Sequence, residues 1–213
     1  NNQLIALNKP AGLPVQPDPT GDTSLHQLAE IYCQHPVHVV HRLDRPATGV
    51  VLFAKNKKAL AALNEQFRQR AVGKTYLAVV EQAPPEPAGT LEHLLLKDGR
   101  TNKTRVVPAG TPGAKPARLQ YRLLGSGDRY HLLEVELLTG RHHQIRAQLS
   151  ALGCPIKGDV KYGARRSNRD RSIHLHAWKL RFRHPVSLEV EEVVAPLPQD
   201  DNLWAALSAF CMP

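Results

Sequence analysis

The sequence has few cysteines and no long apolar run, and these two features limit the classes of protein to which it can belong. Its three cysteines, Cys33, Cys154 and Cys211, are odd in number and widely spaced. That pattern argues against a disulfide framework and favours a reducing compartment. No apolar stretch approaches the length of a membrane span, and the first residues lack the basic-then-apolar pattern of a signal peptide. We therefore expect a cytoplasmic protein with no membrane partner.

Acidic residues are also scarce. The 213 residues include 28 lysines and arginines but only 19 aspartates and glutamates, which gives a formal net charge of +9. A protein this basic usually meets a polyanion, and nucleic acid or an anionic membrane are the main choices. The plainer interpretation stays open, because many basic proteins bind nothing anionic.

Several cofactor signatures are missing. The glycines form neither a dinucleotide fingerprint nor a phosphate-binding P-loop, and there is no Gly-x-Ser-x-Gly elbow. Two sets of residues invite a metal hypothesis: Cys33, His35, His38 and His41, and the pair His174 and His176. The first set fits no standard zinc spacing, and no cysteine pair supports it. We therefore expect no metal site.

Short apolar runs separated by turn residues dominate the chain and predict strands. The predicted strands are residues 4–7, 37–40, 49–54, 75–80, 118–124 and 130–138, with a late hairpin of 173–182 and 188–194. Helices are predicted at residues 58–72, 143–152 and 202–210. Because strands outnumber helices without alternating evenly with them, we expect an α+β fold: a mixed, largely antiparallel sheet with flanking helices. We expect one domain over residues 1–213.

The predicted connections are rich in proline, glycine or basic residues. We predict a Pro-rich connector at residues 83–90. We predict a long basic loop at residues 97–118 and a second basic loop at residues 165–171. Long loops inside a domain are often functional, and basic ones could hold phosphates. An equally open interpretation is a pair of solvated, mobile loops.

The segment His41-Arg42-Leu43-Asp44-Arg45 lies between two apolar runs. It therefore presents a carboxylate between two arginines at the edge of the core. A nearby positive charge favours an ionised carboxylate, which could act as a nucleophile or a base. From physical chemistry alone, a structural Asp–Arg pair that holds a turn is the better hypothesis.

A second segment, residues 138–146, combines the end of a strand, a Gly turn and the start of a helix. The free amides at a helix N-terminus suit a phosphate. Arg146, one turn into the helix, could reach a buried acid. The alternative is ordinary capping plus exposed charge. The residues that would surround a phosphate here are Arg141, His142, His143 and Gln144.

Tyr76 opens a predicted strand in the segment Gly73-Lys74-Thr75-Tyr76. It could stack on a base or use its hydroxyl group. A half-buried tyrosine on a sheet is the common alternative.

Five blocks of this sequence then resemble one family. HRLDRPATGVVLFAKN resembles the signature of the RluA-type pseudouridine synthases. The other blocks follow that family's order: LNKPAGLPVQP, RAVGKTYLAVV, LLTGRHHQIRAQLSALGCPIKGDVKYG and HLHAWKLRFRHP. They cover nearly the whole chain. The family often has Thr or Ser where this chain has His142, and Val-His where it has Ala147-Gln148.

The resemblance implies that uridine in structured RNA, either 23S ribosomal RNA or transfer RNA, is isomerised to pseudouridine without a cofactor. It implies that Asp44 is the essential aspartate and that Arg146 pairs with it. Tyr76 would lie against the target base, Ile145 would pack near the uracil, and Arg42 would fill the gap left by the flipped nucleotide.

Two other classes remain as alternatives. One is a non-catalytic RNA-binding module on the same fold, which would not need Asp44, Tyr76 and Arg146 together. The other is a metal-dependent hydrolase that uses Asp44 with His174 and His176. We expect no DNA partner and no S4-type RNA-binding domain. We expect the protein to be a monomer.

Overall fold

A computed structural model of the chain describes residues 1–211. Its contacts divide the chain into two compact units, the first made of Asn1–Lys74 and His176–Pro198, the second of Thr75–Leu175 and the segment from Gln199 onward. In chain order the elements are β1 (Leu4–Lys9), α1 (Leu25–Cys33), β2 (His38–Val39), β3 (Thr48–Ala54), α2 (Lys57–Arg68), β4 (Gly73–Val80), β5 (Ala88–Asp98), β6 (Lys103–Val107), β7 (Lys115–Ser126), β8 (His131–Leu137), α3 (Gln144–Ala151), β9 (Leu175–Arg183), β10 (Val190–Val194) and α4 (Asn202–Leu207).

The first unit is built around β3. This strand pairs with β1 and β2 antiparallel and with β9 parallel, and β10 pairs with β9 antiparallel. Residues 49–54 of β3 are all buried, as a continuous run of valine, leucine and phenylalanine predicts for a strand with partners on both sides. The loop that carries Asp44 therefore ends directly on the most buried strand of this unit.

Gly49 lies where β3 comes closest to β9. Its φ is +116°, and a Cβ added there would lie 2.3 Å from the carbonyl oxygen of Ala177. No other residue lacks a Cβ, so only glycine permits this approach. The glycine that follows the Asp44 loop thus serves the packing of β3 on β9.

Helix α2 packs on β3 but is shorter than predicted. It ends at Arg68, and Arg70 takes a left-handed conformation with φ 59°, which no helix can continue. Helix α1 was missed, although its start has a sequence signal. Ser24 and Gln27 form a capping box at its N-terminus, a pattern that marks where helices begin.

The second unit has an antiparallel sheet in the order β4-β8-β7-β5-β6. The prediction of a continuous loop at residues 97–118 was wrong, because β5 runs on to Asp98, β6 occupies Lys103–Val107 and β7 starts at Lys115. The connector at 83–90 likewise ends at Ala88, where β5 begins. These strands carry exposed basic residues at the end of the sheet, so their composition resembles that of a loop.

The remaining predicted elements are confirmed with small shifts at their ends, and so is the α+β class. Helix α3 contacts β5 and β6. Helix α4 starts at Asp201, whose side chain accepts from the N–H groups of Leu203 and Trp204, and it continues as a 3-10 helix over Ser208–Cys211. None of the helices within residues 1–211 is long and apolar enough to cross a bilayer.

Candidate active site

His41 anchors the start of the Asp44 loop. Its Nε2 accepts a hydrogen bond from the N–H of Leu52 at 3.0 Å, and its ring stacks on Phe67 with centroids 5.2 Å apart. Burial, with a smaller contribution from the charge of Lys74, lowers the pKa of His41 to about 4. His41 is therefore neutral, as its acceptor role requires.

Lys9 holds the same loop from the end of β1. Its Nζ donates to the carbonyl oxygens of Pro10, Leu13 and Arg45 at 2.8, 2.9 and 3.0 Å, and the residue is only 1% exposed. Burial lowers the pKa of Lys9 to about 8, although the negative charge of Asp44 opposes this shift. The interior of the loop thus contains a cation within electrostatic reach of Asp44.

Arg45 bonds to groups outside the Asp44 loop. Its guanidinium pairs with Asp22 and with Asp18 at 3.5 Å, and its Nε donates to the carbonyl oxygen of Gly12 at 2.8 Å. Arg45 thereby ties the Asp44 loop to the segment that contains Gly12, Asp18 and Asp22. Asp44 itself is half-buried, and its backbone carbonyl accepts from the N–H of Ala47 at 3.1 Å. Arg42 is exposed.

In the second unit, Tyr76 and Ile145 lie on regular elements. Tyr76 is half-buried in β4, where it lies opposite Val135 of β8. Ile145 is buried in the first turn of α3. Both side chains are thereby held by packed secondary structure rather than by a loop.

Gln144 organises the turn before α3. Its Oε1 accepts from the hydroxyl of Thr139 at 2.8 Å and from the N–H of Arg141 at 3.0 Å, and its Nε2 donates to the carbonyl of Arg118 at 3.1 Å. Gln144 is 2% exposed, so its amide serves the turn itself. The Nε of Arg141 donates to the carbonyl oxygen of Pro116 at 3.0 Å.

Arg146 forms a buried ion pair with Asp159. Its Nε and Nη2 donate to the two carboxylate oxygens at 2.7 and 2.8 Å, and the two side chains are 5% and 1% exposed. Its guanidinium also lies 4.8 Å from the ring centroid of Tyr162. Sequence reasoning expected a buried acid near Arg146 but missed Asp159, which lies within the block GDVKYG that resembles the family.

Tyr162 links Arg146 to the histidines before α3. Its hydroxyl accepts from the N–H of Thr104 at 2.8 Å and lies 2.9 Å from Nδ1 of His143. His142 stacks on His143 with ring centroids 3.7 Å apart. Burial first, and then the charge of Arg146, lowers the pKa of His143 to about 2. His143 is thus a neutral member of this network.

The histidines suggested for a metal have other contacts. The Nε2 of His174 lies 3.0 Å from a carboxylate oxygen of Asp201, and its Nδ1 lies 3.0 Å from the amide nitrogen of Asn168. The Nδ1 of His176 lies 2.8 Å from the hydroxyl of Thr48. Over residues 1–211, no three His, Cys, Asp or Glu side chains are grouped so that they could hold a metal ion.

The basic loop at residues 165–171 is tied to the rest of its unit by Asn168. The side-chain amide of Asn168 donates to the hydroxyl of Ser172 at 3.0 Å and accepts from Nζ of Lys157 at 2.5 Å. The loop thus carries its arginines on a fixed backbone. Those arginines are Arg165, Arg166, Arg169 and Arg171.

The sequence and the fold of this chain are similar to those of known proteins. The family model described as "RNA pseudouridylate synthase" matches residues 3–151. The chain belongs to the RNA pseudouridylate synthase family. The human protein RNA Pseudouridylate Synthase Domain Containing 4 has a similar structure, with a TM-score of 0.80 and 30% identity over 100% of this chain and 92% of that one.

Two curated bacterial relatives carry related names. An "Uncharacterized RNA pseudouridine synthase" of Chloroflexus aurantiacus is 41% identical over 91% of this chain and 63% of its own length. The "Ribosomal large subunit pseudouridine synthase C" of Pasteurella multocida is 32% identical over 96% of this chain and 65% of its own length. The chain therefore spans less than two thirds of each of these relatives.

Proposed function

We propose that this protein isomerises uridine to pseudouridine in structured RNA, with Asp44 as the catalytic carboxylate. The observation that carries the proposal is the loop of Asp44. Lys9 and His41 fix the backbone of that loop from the interior, and Arg45 ties the loop to Asp22. A carboxylate held on a fixed loop suits a nucleophile or a base.

The reaction breaks the N1–C1′ bond of uridine, turns the base and joins C5 to C1′. The hydrogen on C5 leaves as a proton, and N1 gains one, so no redox cofactor or cosubstrate is required. Asp44 either attacks C1′ or promotes loss of the C2′ proton to give a glycal. Both routes need an ionised carboxylate.

The other assigned residues serve the same reaction. A paired uridine must leave its stack, which costs a few kcal/mol, and Arg42 would offset part of that cost by filling the vacancy. Tyr76 would stack on the base and Ile145 would supply an apolar wall. Arg146, which Asp159 orients, is predicted from the resemblance to pair with Asp44. Arg141 and His143 would contact RNA, whereas Gln144 would act through the turn that it holds.

We expect the substrate to be large-subunit ribosomal RNA, with transfer RNA as the second candidate. The relatives named as ribosomal large subunit synthases support the first choice. The arginines of residues 165–171 would hold backbone phosphates. We place the reaction in the cytoplasm and expect the protein to act as a monomer.

Tritium release from RNA labelled at C5 of uridine tests the proposal, because the new bond at C5 must expel that hydrogen. Ribosomal and transfer RNA are assayed separately with wild type and Asp44→Asn. We expect Asp44→Asn to lower release about a thousandfold or more while RNA binding persists.

Asp128→Asn is the matched control, because Asp128 is an exposed residue between β7 and β8 in the second unit. It should release tritium at the wild-type rate. If folded wild type binds both RNAs and releases tritium from neither, the binding-module alternative replaces the proposal.

A further inference from the structure

The loop of residues 165–171 holds like charges together without neutralising them. Its sequence, RRSNRDR, contains four exposed arginines and one aspartate. The carboxylate of Asp170 accepts from the N–H and from the hydroxyl of Ser172, at 3.0 and 2.7 Å. Over residues 1–211, none of the four guanidinium groups forms an ion pair. Like charges this close along the chain repel one another, so a bound anion would be stabilising here.

The backbone of the loop is fixed in spite of that repulsion. The N–H of Arg171 donates to the carbonyl oxygen of Asn168 at 3.0 Å, which closes a turn. Gly158 lies against the same segment. A Cβ added at Gly158 would lie 2.7 Å from Nδ2 of Asn168 and 2.7 Å from the carbonyl oxygen of Ser172. The loop therefore packs on a backbone position that has no room for a side chain.

The side-chain amide of Asn168 bonds through both of its polar atoms. Its Oδ1 accepts from Nζ of Lys157 at 2.5 Å, and its Nδ2 donates to the hydroxyl of Ser172 at 3.0 Å. Nδ2 also lies 3.0 Å from Nδ1 of His174, a residue that is 4% exposed. Because an amide nitrogen only donates, Nδ1 of His174 accepts and its Nε2 carries the ring proton. That Nε2 lies 3.0 Å from the carboxylate of Asp201, which caps α4. Asn168 thus joins the loop to a buried histidine and, through it, to α4.

We propose that the loop of residues 165–171 is a prefolded binding surface for the phosphate backbone of the RNA, and that Asn168 is the positioning residue that keeps it prefolded. This inference rests on the proposed function for the identity of the polyanion. A loop that already has its binding conformation loses little conformational freedom when RNA binds, whereas a mobile loop must be ordered at that step. Asn168 therefore contributes to affinity although it carries no charge.

Asn168→Ala separates this contribution from simple charge attraction, because it keeps all four arginines and the net charge. In the Asp44→Asn background, we expect its affinity for large-subunit ribosomal RNA to fall about tenfold. The slope of log affinity against log salt, measured from about 50 to 200 mM, should not change, because no phosphate contact is lost. An unchanged affinity would overturn the role of Asn168.

Removing the charges should have the opposite signature. With all four arginines replaced by glutamine, the slope should fall by at least about 0.7, the value for a single lost phosphate contact. A slope equal to that of the parent protein would overturn the binding surface itself. The four substitutions are Arg165→Gln, Arg166→Gln, Arg169→Gln and Arg171→Gln.

Ser172→Ala and Ser167→Ala form a matched pair in this part of the chain. Ser172→Ala removes the hydroxyl that accepts from Asn168, and it keeps the proposal testable if Asn168→Ala does not fold. It should lower the affinity about threefold, as the loss of one hydrogen bond implies. Ser167 is exposed, so Ser167→Ala should bind as tightly as the parent protein. Equal affinities of the two serine variants would contradict the proposal.

Trypsin, which cleaves after arginine, measures the order of the loop without RNA. Mass spectrometry locates the cuts within residues 165–171. Asn168→Ala should be cut there at least about threefold faster than the parent protein, because proteolysis follows the population of the opened loop. Equal rates would show that Asn168 does not hold the loop.

The tritium assay separates this proposal from the proposed function. With Asp44 intact, the loss in Asn168→Ala should appear mainly in KM, whereas a protein that is only destabilised would lose active enzyme and hence apparent kcat. Tritium release with wild-type KM in Asn168→Ala refutes only the role of the loop. A reduced affinity of Asn168→Ala, in a protein whose wild type releases no tritium, refutes only the catalysis.

Discussion

Lys9 and His41 hold the loop around Asp44 through bonds to backbone atoms, whereas many bonds at the start of α3 join two side chains. Lys9 donates to three carbonyls and His41 accepts from one N–H. Arg146 instead pairs with Asp159 and faces the ring of Tyr162. The first arrangement fixes the path of a loop. The second fixes the orientation of one guanidinium.

This difference matters for how each region responds to substitution. Backbone-directed bonds fix the position of the loop without fixing the side chains that it carries, which suits the catalytic role proposed for Asp44. A bidentate pair between side chains fixes a rotamer, and the loss of either partner leaves the other as a buried charge. The second region should therefore be the more sensitive to single substitutions.

Asp159→Ala should give the largest effect, because it leaves Arg146 buried without its bidentate partner. We expect the free energy of unfolding to fall by about 3 to 5 kcal/mol, measured by urea denaturation. Asp201→Ala removes an aspartate that is more exposed and caps α4 in the same unit, and it should cost about 1 kcal/mol. Equal costs would contradict the contrast between the regions.

Lys9→Met should have the next largest effect. It leaves three carbonyl oxygens without their donor, but it also removes a buried charge, so the net loss should be about 2 kcal/mol. The same denaturation experiment measures it, with Lys57→Met at an exposed lysine of the first unit as the control. A loss above that of Asp159→Ala would reverse the proposed order of the two regions.

Acidification should produce the smallest effect, through His41. Because its folded-state pKa is lowered to about 4 from an ordinary 6.5, its contribution to stability is complete above pH 6.5 and is lost as the pH falls towards 4. Between pH 7 and 5 this amounts to about 1 to 2 kcal/mol. His41→Gln, which can still accept from Leu52, should lose less stability over that range than wild type. His35→Gln, at an exposed histidine, should keep the wild-type pH dependence.

Strong local patterns made most of the fold predictable. The apolar run of β3 and the apolar face of α2 each predict the element from local sequence alone. Strands β5 and β6 were missed because their basic, glycine-flanked sequence resembles a loop, and pairing across the sheet decides their conformation. Helix α1 was missed because it buries only Leu25 and Ala29.

The resemblance named the candidate site residues, but the sequence did not reveal the contacts that they make. The resemblance identified Arg146, yet its partner Asp159 lies 13 residues further on and meets it only in the folded chain. The role of Lys9 was equally hidden, since a lysine beside Pro10 in a turn resembles an ordinary surface residue. Sequence patterns identify side chains, whereas tertiary structure decides where each of them points.

The close approach of β3 and β9 at Gly49 also limits how this gene can change. Every replacement of a glycine codon adds at least a Cβ, and here that atom would meet the backbone of Ala177. Gly12 and Gly21 also have positive φ but open space around them, so asparagine could replace either at modest cost. Codon 49 should therefore tolerate no missense change under selection for a folded protein, whereas codons 12 and 21 should drift.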